Sequence, residues 1–178
     1  MHRFVRVKKW SHILEWVTSV SLIAIPIVTA ISLFAGPITP AALDIRLEHL
    51  TVSPAATSLQ LYTALGLLLI PMIISLFTLN AMRNLFRSYR KGDVLTENCA
   101  VLIQRIGQGF LALSLAPFFL QPVLSVLLSM ANPAGERLLS VNIDNEMIFF
   151  AVAGGLIVVI GWAMREASDL EDENRAFI

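Results

Sequence analysis

The chain has 178 residues, of which 56% are hydrophobic and 15% charged, and its formal net charge is zero. Its mean hydropathy of +0.73 lies well above that of soluble domains and argues against an ordinary water-soluble protein. About half of the residues fall in long apolar stretches, which leaves no room for a separate globular domain.

Four apolar stretches follow one another along the chain. Their only charged side chain is Glu15, at the edge of the first stretch. A spanning helix needs roughly 20 apolar residues to cross about 30 Å of hydrocarbon, and each stretch is close to that length. The sequence therefore predicts an all-α integral membrane protein, a single four-span domain over residues 1–178 folded as a four-transmembrane-helix bundle. The predicted spans are 13–35, 59–81, 106–130 and 147–164.

Basic residues are distributed unevenly around these spans. Eleven of the 13 lie in the two terminal tails or between spans two and three, and only Arg46 and Arg137 lie in the other two loops. Because basic residues are retained on the cytoplasmic side of a membrane, we expect both termini and the middle loop to be cytoplasmic. The predicted topology is N-in and C-in, in a multi-pass protein of the cytoplasmic membrane.

The second and third spans are predicted to extend beyond the bilayer as a helical hairpin. An apolar stripe continues past residue 80, and Gly92 suits the position after a helix end. Thr96 is a good N-cap for the next helix, with Glu97 in its first turn. Residues 80–91 would protrude by roughly 18 Å. The alternative is a plain basic loop held at anionic headgroups, which explains the arginines equally well.

The C-terminal tail is predicted to be an acidic helix. Residues 165–178 carry five acidic and two basic side chains and contain no Pro or Gly. Residues 80–105 carry five basic and two acidic side chains. We hypothesise that the tail folds against the hairpin or that both bind a partner; a solvated tail is the alternative. The candidate residues are Arg83, Arg87, Arg90 and Lys91 on the hairpin and Glu166, Asp169 and Glu173 on the tail.

The two extracytoplasmic loops change to an alternating pattern. Residues 43–48 and 139–144 alternate apolar and polar side chains with a period of two, as half-buried strands do. The two runs would pair as a short β-ribbon over the outer ends of the helices. The alternative is a pair of unpaired coils at the headgroups.

Ionisable side chains are missing from the middle of the predicted spans, although transporters and pumps usually display them there. Polar residues such as Ser114 and Gln121, and the small residues Gly154, Gly155 and Gly161, are more typical of helix–helix contacts. The sequence also lacks the common motifs of soluble enzymes. We therefore expect no enzyme activity and no catalytic, cofactor-binding or metal-binding residues.

Residues 82–107 resemble the central signature of a bacterial membrane protein family, domain of unknown function 2975. That pattern has a Leu-Phe pair, an aromatic residue, a Gly, a Phe-Thr-x-x-Asn turn and a later Ile-Gly. Leu95 stands where the family has Phe, and Asn98 falls one residue short of the common spacing. The matching positions are Leu85, Phe86, Tyr89, Gly92, Thr96, Asn98, Ile106 and Gly107.

The resemblance implies a four-span protein of the bacterial inner membrane and very little chemistry. Family members are often encoded beside a helix-turn-helix repressor, which suggests a regulatory, sensor or scaffold protein that binds such a regulator and does not itself bind nucleic acid. The alternative is a small transporter or channel component. Besides the lipid bilayer and the regulator, the partners we expect include a second copy of the chain.

Overall fold

A computed structural model describes residues 2–34, 38–41, 52–94, 96–133, 135, 137 and 139–176; the side chains of 2–7, 33–34 and 171–176 fall outside this description. Long helices dominate the described part of the chain. They are α1 (His2–Phe34), α2 (Ser58–Lys91), α3 (Glu97–Ser129) and α4 (Asn145–Ala176).

All four helices are long and apolar enough to cross a membrane, which confirms the predicted all-α, four-helix architecture. Many of their large apolar side chains point outward, and Ile23, Phe77 and Val152 are all exposed. So large an apolar surface would cause a protein in water to aggregate, whereas lipid tails solvate it. The structure fits a multi-pass membrane protein.

The helices pack in chain order, α1 on α2, α2 on α3 and α3 on α4. Ion pairs fix the register of α1 against α2 and of α3 against α4. Glu15 of α1 lies beside Arg87 and Arg90 of α2. Glu97 of α3 lies beside Arg165 of α4. These residues lie at one end of the helices, which we call the charged end. From Glu15 to Phe34 in α1 and from Arg165 back to Glu146 in α4, each helix rises by about 29 Å, close to the thickness of a hydrocarbon core.

The turn between α2 and α3 has the predicted caps. Gly92 has φ 103°, in the left-handed region, and its N–H donates to the carbonyl oxygens of Ser88 and Tyr89. Thr96 is the N-cap of α3 and accepts a hydrogen bond from the N–H of Cys99 at 3.4 Å. α2 is therefore one continuous helix from the apolar span to Lys91, as predicted.

Glycines bring α3 and α4 into close contact. A Cβ atom on Gly154 would lie 2.8 Å from the carbonyl oxygen of Gly107, and one on Gly161 would lie 2.9 Å from the amide nitrogen of Gln104. The packing role predicted for these two glycines is confirmed. Gly155 has open space where its Cβ would be, so the same prediction is wrong for that residue.

α3 extends past the beginning of α4. The hydroxyl of Ser114 donates to the carbonyl oxygen of Met147 at 2.6 Å, so residues 115–129 of α3 lie beyond that level. Residues 139–144 fold back along this part of α3. The N–H of Ser140 donates to Ser125 Oγ, and the N–H of Asn142 donates to Gln121 Oε1, both at 3.0 Å.

These contacts replace the β-ribbon predicted for the loops. Residues 139–144 form no strand, because side chains of α3 accept the amide hydrogens that a partner strand would bind. The apolar side chains of this segment point away from α3, at Leu139, Val141 and Ile143. The alternation of the sequence therefore separates the side of the segment that faces α3 from the side that faces away. The other predicted strand, residues 43–48, lies outside the described residues.

Candidate functional site

The charged end contains a buried carboxylate between two arginines. Glu15 is 8% exposed. Its Oε1 accepts a hydrogen bond from Arg87 Nε at 3.3 Å, and its Oε2 lies 3.2 Å from Arg90 Nε, outside the angles of a hydrogen bond. Arg90 also lies 3.5 Å from His12 Nδ1. α1 and α2 are thus joined by a cluster that neutralises part of the basic charge predicted for the hairpin.

Sequence reasoning identified Arg87 and Arg90 but missed Glu15 as their partner. The sequence contains an indication of this role, because Glu15 is the one charged side chain in the four apolar stretches. A carboxylate held among apolar residues needs a cation beside it, since an isolated buried charge is very costly. Only the register of α1 against α2 decided which cation that is.

The other two basic candidates of the hairpin have different environments. Arg83 is half-buried on α2, and its Nε has no hydrogen-bond partner among the described residues. Lys91 is exposed at the last position of α2. Arg83 is thus enclosed by the fold, whereas Lys91 is open to the surroundings.

At the base of the tail, Arg165 pairs with Glu97. Its Nη2 lies 2.8 Å from Glu97 Oε1, and both side chains are about half exposed. Glu166 and Asp169 are exposed on the following turn of α4 and form no ion pair with the described part of α2. The hypothesised tail-to-hairpin contact is therefore not formed by these two residues. The side chain of Glu173 falls outside the described residues.

Most residues of the family signature have structural roles around the hairpin. Leu85 is buried between α2 and α3, and Tyr89 packs against the same apolar cluster. Gly92 and Thr96 cap the two helices, and Gly107 has no space for a side chain, since its Cβ would lie 2.7 Å from Val158. Phe86 is half-buried and Asn98 is exposed. The signature thus specifies a tight turn and close helix contacts more than a chemical site.

The charged end is suited to electrostatic binding. It presents cations at Lys91 and at the partly exposed Arg87 and Arg90, and carboxylates at Glu166 and Asp169. Among the described residues, no group of three His, Cys, Asp or Glu side chains gathers as metal ligands would.

The chain matches the model of a protein family. No curated protein and no solved structure matches the chain. A family model described as "Protein of unknown function (DUF2975)" matches residues 44–178, which include α2, α3, α4 and both connections between them. The match covers about three quarters of the sequence, and the chain therefore belongs to the DUF2975 family.

Proposed function

We propose that this protein is a non-enzymatic regulatory or scaffold protein of the bacterial inner membrane, and that its charged end binds a cytoplasmic partner. The observation that carries the proposal is the continuity of α4. This helix runs without a break from its apolar span to Ala176 and carries Glu166 and Asp169 exposed beyond the last apolar turn.

The proposed orientation places both termini and the α2–α3 turn in the cytoplasm. Support comes from the basic residues, eleven of which lie on this side of the predicted spans and two on the other. The charged end would then face the cytoplasm.

We propose that Arg87 and Arg90 of α2 lie at headgroup depth. The ion pairs of Glu15 align the N-terminal part of α1 with Arg87 and Arg90, and at this level Trp10 and Trp16 are 65% and 67% exposed. Exposed tryptophans are enriched at membrane interfaces, and arginines there attract anionic lipids. This favours the headgroup alternative for the hairpin over free protrusion into the cytoplasm.

The tail of α4 would then be the part that reaches the cytoplasm. Arg165 is paired with Glu97, so the helix is held at the level of the α2–α3 turn. The eleven residues from Glu166 to Ala176 extend about 16 Å beyond that point. An acidic helix held in this way suits a basic partner, such as the DNA-reading face of a helix-turn-helix regulator.

The proposal is tested by co-purification of the full-length protein in mild detergent. A soluble regulator is expected at a stoichiometric ratio, and the variant E166Q with D169N should lose it because the acidic surface is neutralised. The matched control is D144N with E146Q, which removes two carboxylates at the opposite end of α4. Retention of the regulator by E166Q with D169N would show that these carboxylates do not bind it. The absence of any regulator, together with a water-filled path in a homo-oligomer, would favour the transporter or channel alternative.

Orientation is tested separately by reporter fusions after residue 90 and after residue 137. The first is expected to report the cytoplasm and the second the outside. A fusion after residue 90 that reports the outside would overturn the proposed topology.

A further inference from the structure

A groove of about 460 Å³ runs between α2 and α3 and opens at the surface of the protein. Its floor is a close helix contact, because Gly109 leaves no space for a Cβ atom beside Thr78. One half of the groove is lined by apolar residues such as Ile74, Phe77 and Ala112. The other half is lined by Asn80, Asn84, Arg105 and Gln108.

The two halves have a fixed order relative to the membrane. The polar half lies nearer the charged end, because residues 80 and 84 of α2 and residue 105 of α3 are closer to the α2–α3 turn than Ile74 and Ala112 are. The apolar half lies toward the middle of the helices. A phospholipid in the leaflet at the charged end has the same order, with its phosphate outermost and its acyl chains toward the bilayer centre.

Arg105 differs from the other arginines whose partners the structure gives. Arg87, Arg90 and Arg165 each lie beside a carboxylate. Arg105 is exposed and has no ion pair or hydrogen bond with the described part of the chain. The amides of Asn80, Asn84 and Gln108 likewise have no hydrogen-bond partner there. Four polar side chains thus converge on one groove, and their donors make no hydrogen bond to the described residues.

The depth of Arg105 favours a bound anion. It lies eight residues from Glu97 along α3, about 12 Å further from the charged end. If Glu97 and Arg165 mark the membrane boundary, the Arg105 backbone lies within the acyl region of the leaflet. A cation there is costly unless it reaches the interface or binds an anion.

We propose that the α2–α3 groove binds one anionic phospholipid. The guanidinium of Arg105 pairs with the lipid phosphate, since Arg matches phosphate geometry with two parallel hydrogen bonds. The amides of Asn80, Asn84 and Gln108 donate to phosphate and headgroup oxygens. An acyl chain lies against Ile74, Phe77 and Ala112. The site is separate from the partner surface proposed for the charged end, because its residues lie deeper than Glu166 and Asp169 of α4.

The test is native mass spectrometry of the full-length protein in detergent, titrated with phosphatidylglycerol or phosphatidylcholine. One phosphatidylglycerol is expected to bind, at least about tenfold more tightly than phosphatidylcholine, because only the former carries a net negative charge. R105Q should weaken phosphatidylglycerol binding by about tenfold or more, toward the affinity for phosphatidylcholine. The control K91Q removes one positive charge at the exposed end of α2 and should change the affinity less than about twofold.

Two further measurements distinguish a lipid site from a site for phosphate alone. A112F fills the apolar half and should weaken lipid binding without any change in charge, and inorganic phosphate should compete only weakly. If R105Q fails to fold, N84L with Q108L tests the same site, since both substitutions leave the charge intact. If K91Q and R105Q weaken phosphatidylglycerol binding equally, the lipid is attracted by the general surface charge. If inorganic phosphate competes at an affinity like that of the lipid, the groove is a phosphate site. Either result overturns the proposal, as does equal binding of the two lipids.

Discussion

Arg87 Nε lies 3.3 Å from Glu15 Oε1, although 72 positions separate the two residues in the chain. This contact and the neighbouring one to Arg90 set the register of α1 against α2. The same contacts neutralise a buried carboxylate. They also align the tryptophans of α1 with the basic turns of α2, which is the basis for placing both at the membrane interface.

Removal of the buried charge should destabilise the contact between α1 and α2. We expect E15Q to lower the free energy of unfolding by about 1–3 kcal/mol, because it leaves Arg87 and Arg90 without their counter-ion. The loss is smaller than that of a fully buried pair, since both arginines are 44% exposed. Thermal unfolding in detergent measures it. The control is E97Q, which breaks the exposed pair with Arg165 and should cost less than about 1 kcal/mol. Equal losses in E15Q and E97Q would contradict the conclusion that the Glu15 pair is the more buried and more stabilising one.

Adjacent glycines of α4 should respond oppositely to the same substitution. G154A is expected to destabilise the protein by about 1–3 kcal/mol, because the new Cβ would meet the backbones of Gly107 and Leu111 at 2.8 Å and neither can move aside. G155A should be neutral or slightly stabilising, since its Cβ would meet nothing within 4 Å and Ala favours a helix over Gly. Heating in detergent followed by size-exclusion chromatography compares the two variants. A loss of stability in G155A equal to that in G154A would show that α4 packs on another face.

The turn between α2 and α3 should depend on the left-handed conformation of Gly92. G92A is expected to cost about 1–2 kcal/mol, because an L-residue is strained at φ 103°. G66A is the matched control in the same helix, where a Cβ would meet nothing within 4 Å. Equilibrium unfolding of each variant in detergent measures the two free energies of unfolding to be compared. If G92A were as stable as G66A, the turn would have to adopt another conformation.

Amide exchange should report how residues 139–144 are held. Q121L removes the acceptor for the N–H of Asn142. We therefore expect hydrogen exchange at that amide to become about fivefold or more faster. The effect at the Ser140 amide should be smaller, because that amide donates to Ser125. S75A is the control, because its hydroxyl donates within its own helix to the carbonyl oxygen of Pro71. Unchanged exchange at Asn142 in Q121L would mean that the segment pairs with something other than α3.

Local features of the sequence correctly predicted the end of α2 and the start of α3. Gly92 and Thr96 were identified as caps because the hydrogen bonds that they make involve residues within four positions in the chain. Gly154 and Gly161 were identified as packing residues for a related reason, since small residues in an apolar helix indicate close approach of another helix. The error at Gly155 shows that composition does not say which face of α4 meets α3.

The alternating pattern of residues 139–144 was wrongly predicted to form a strand. A period of two requires an extended backbone, but the acceptors for its amides need not come from a strand. Here they come from Ser125 and Gln121, and the sequence had predicted only a general helix–helix contact for Gln121.

The long apolar helices follow from the sequence alone, because the cost of exposing such stretches to water is a local property of each one. The turn between α2 and α3 follows from the sequence as well, since its hydrogen bonds close within a few residues. By contrast, the packing of the helices determines that Glu15 lies beside Arg87 and Arg90, and that Arg105 faces a groove without an ion-pair or hydrogen-bond partner among the described residues. The physical reason is that these relationships depend on how one helix slides and rotates against another, and a shift of one turn would pair different charges while leaving each helix unchanged.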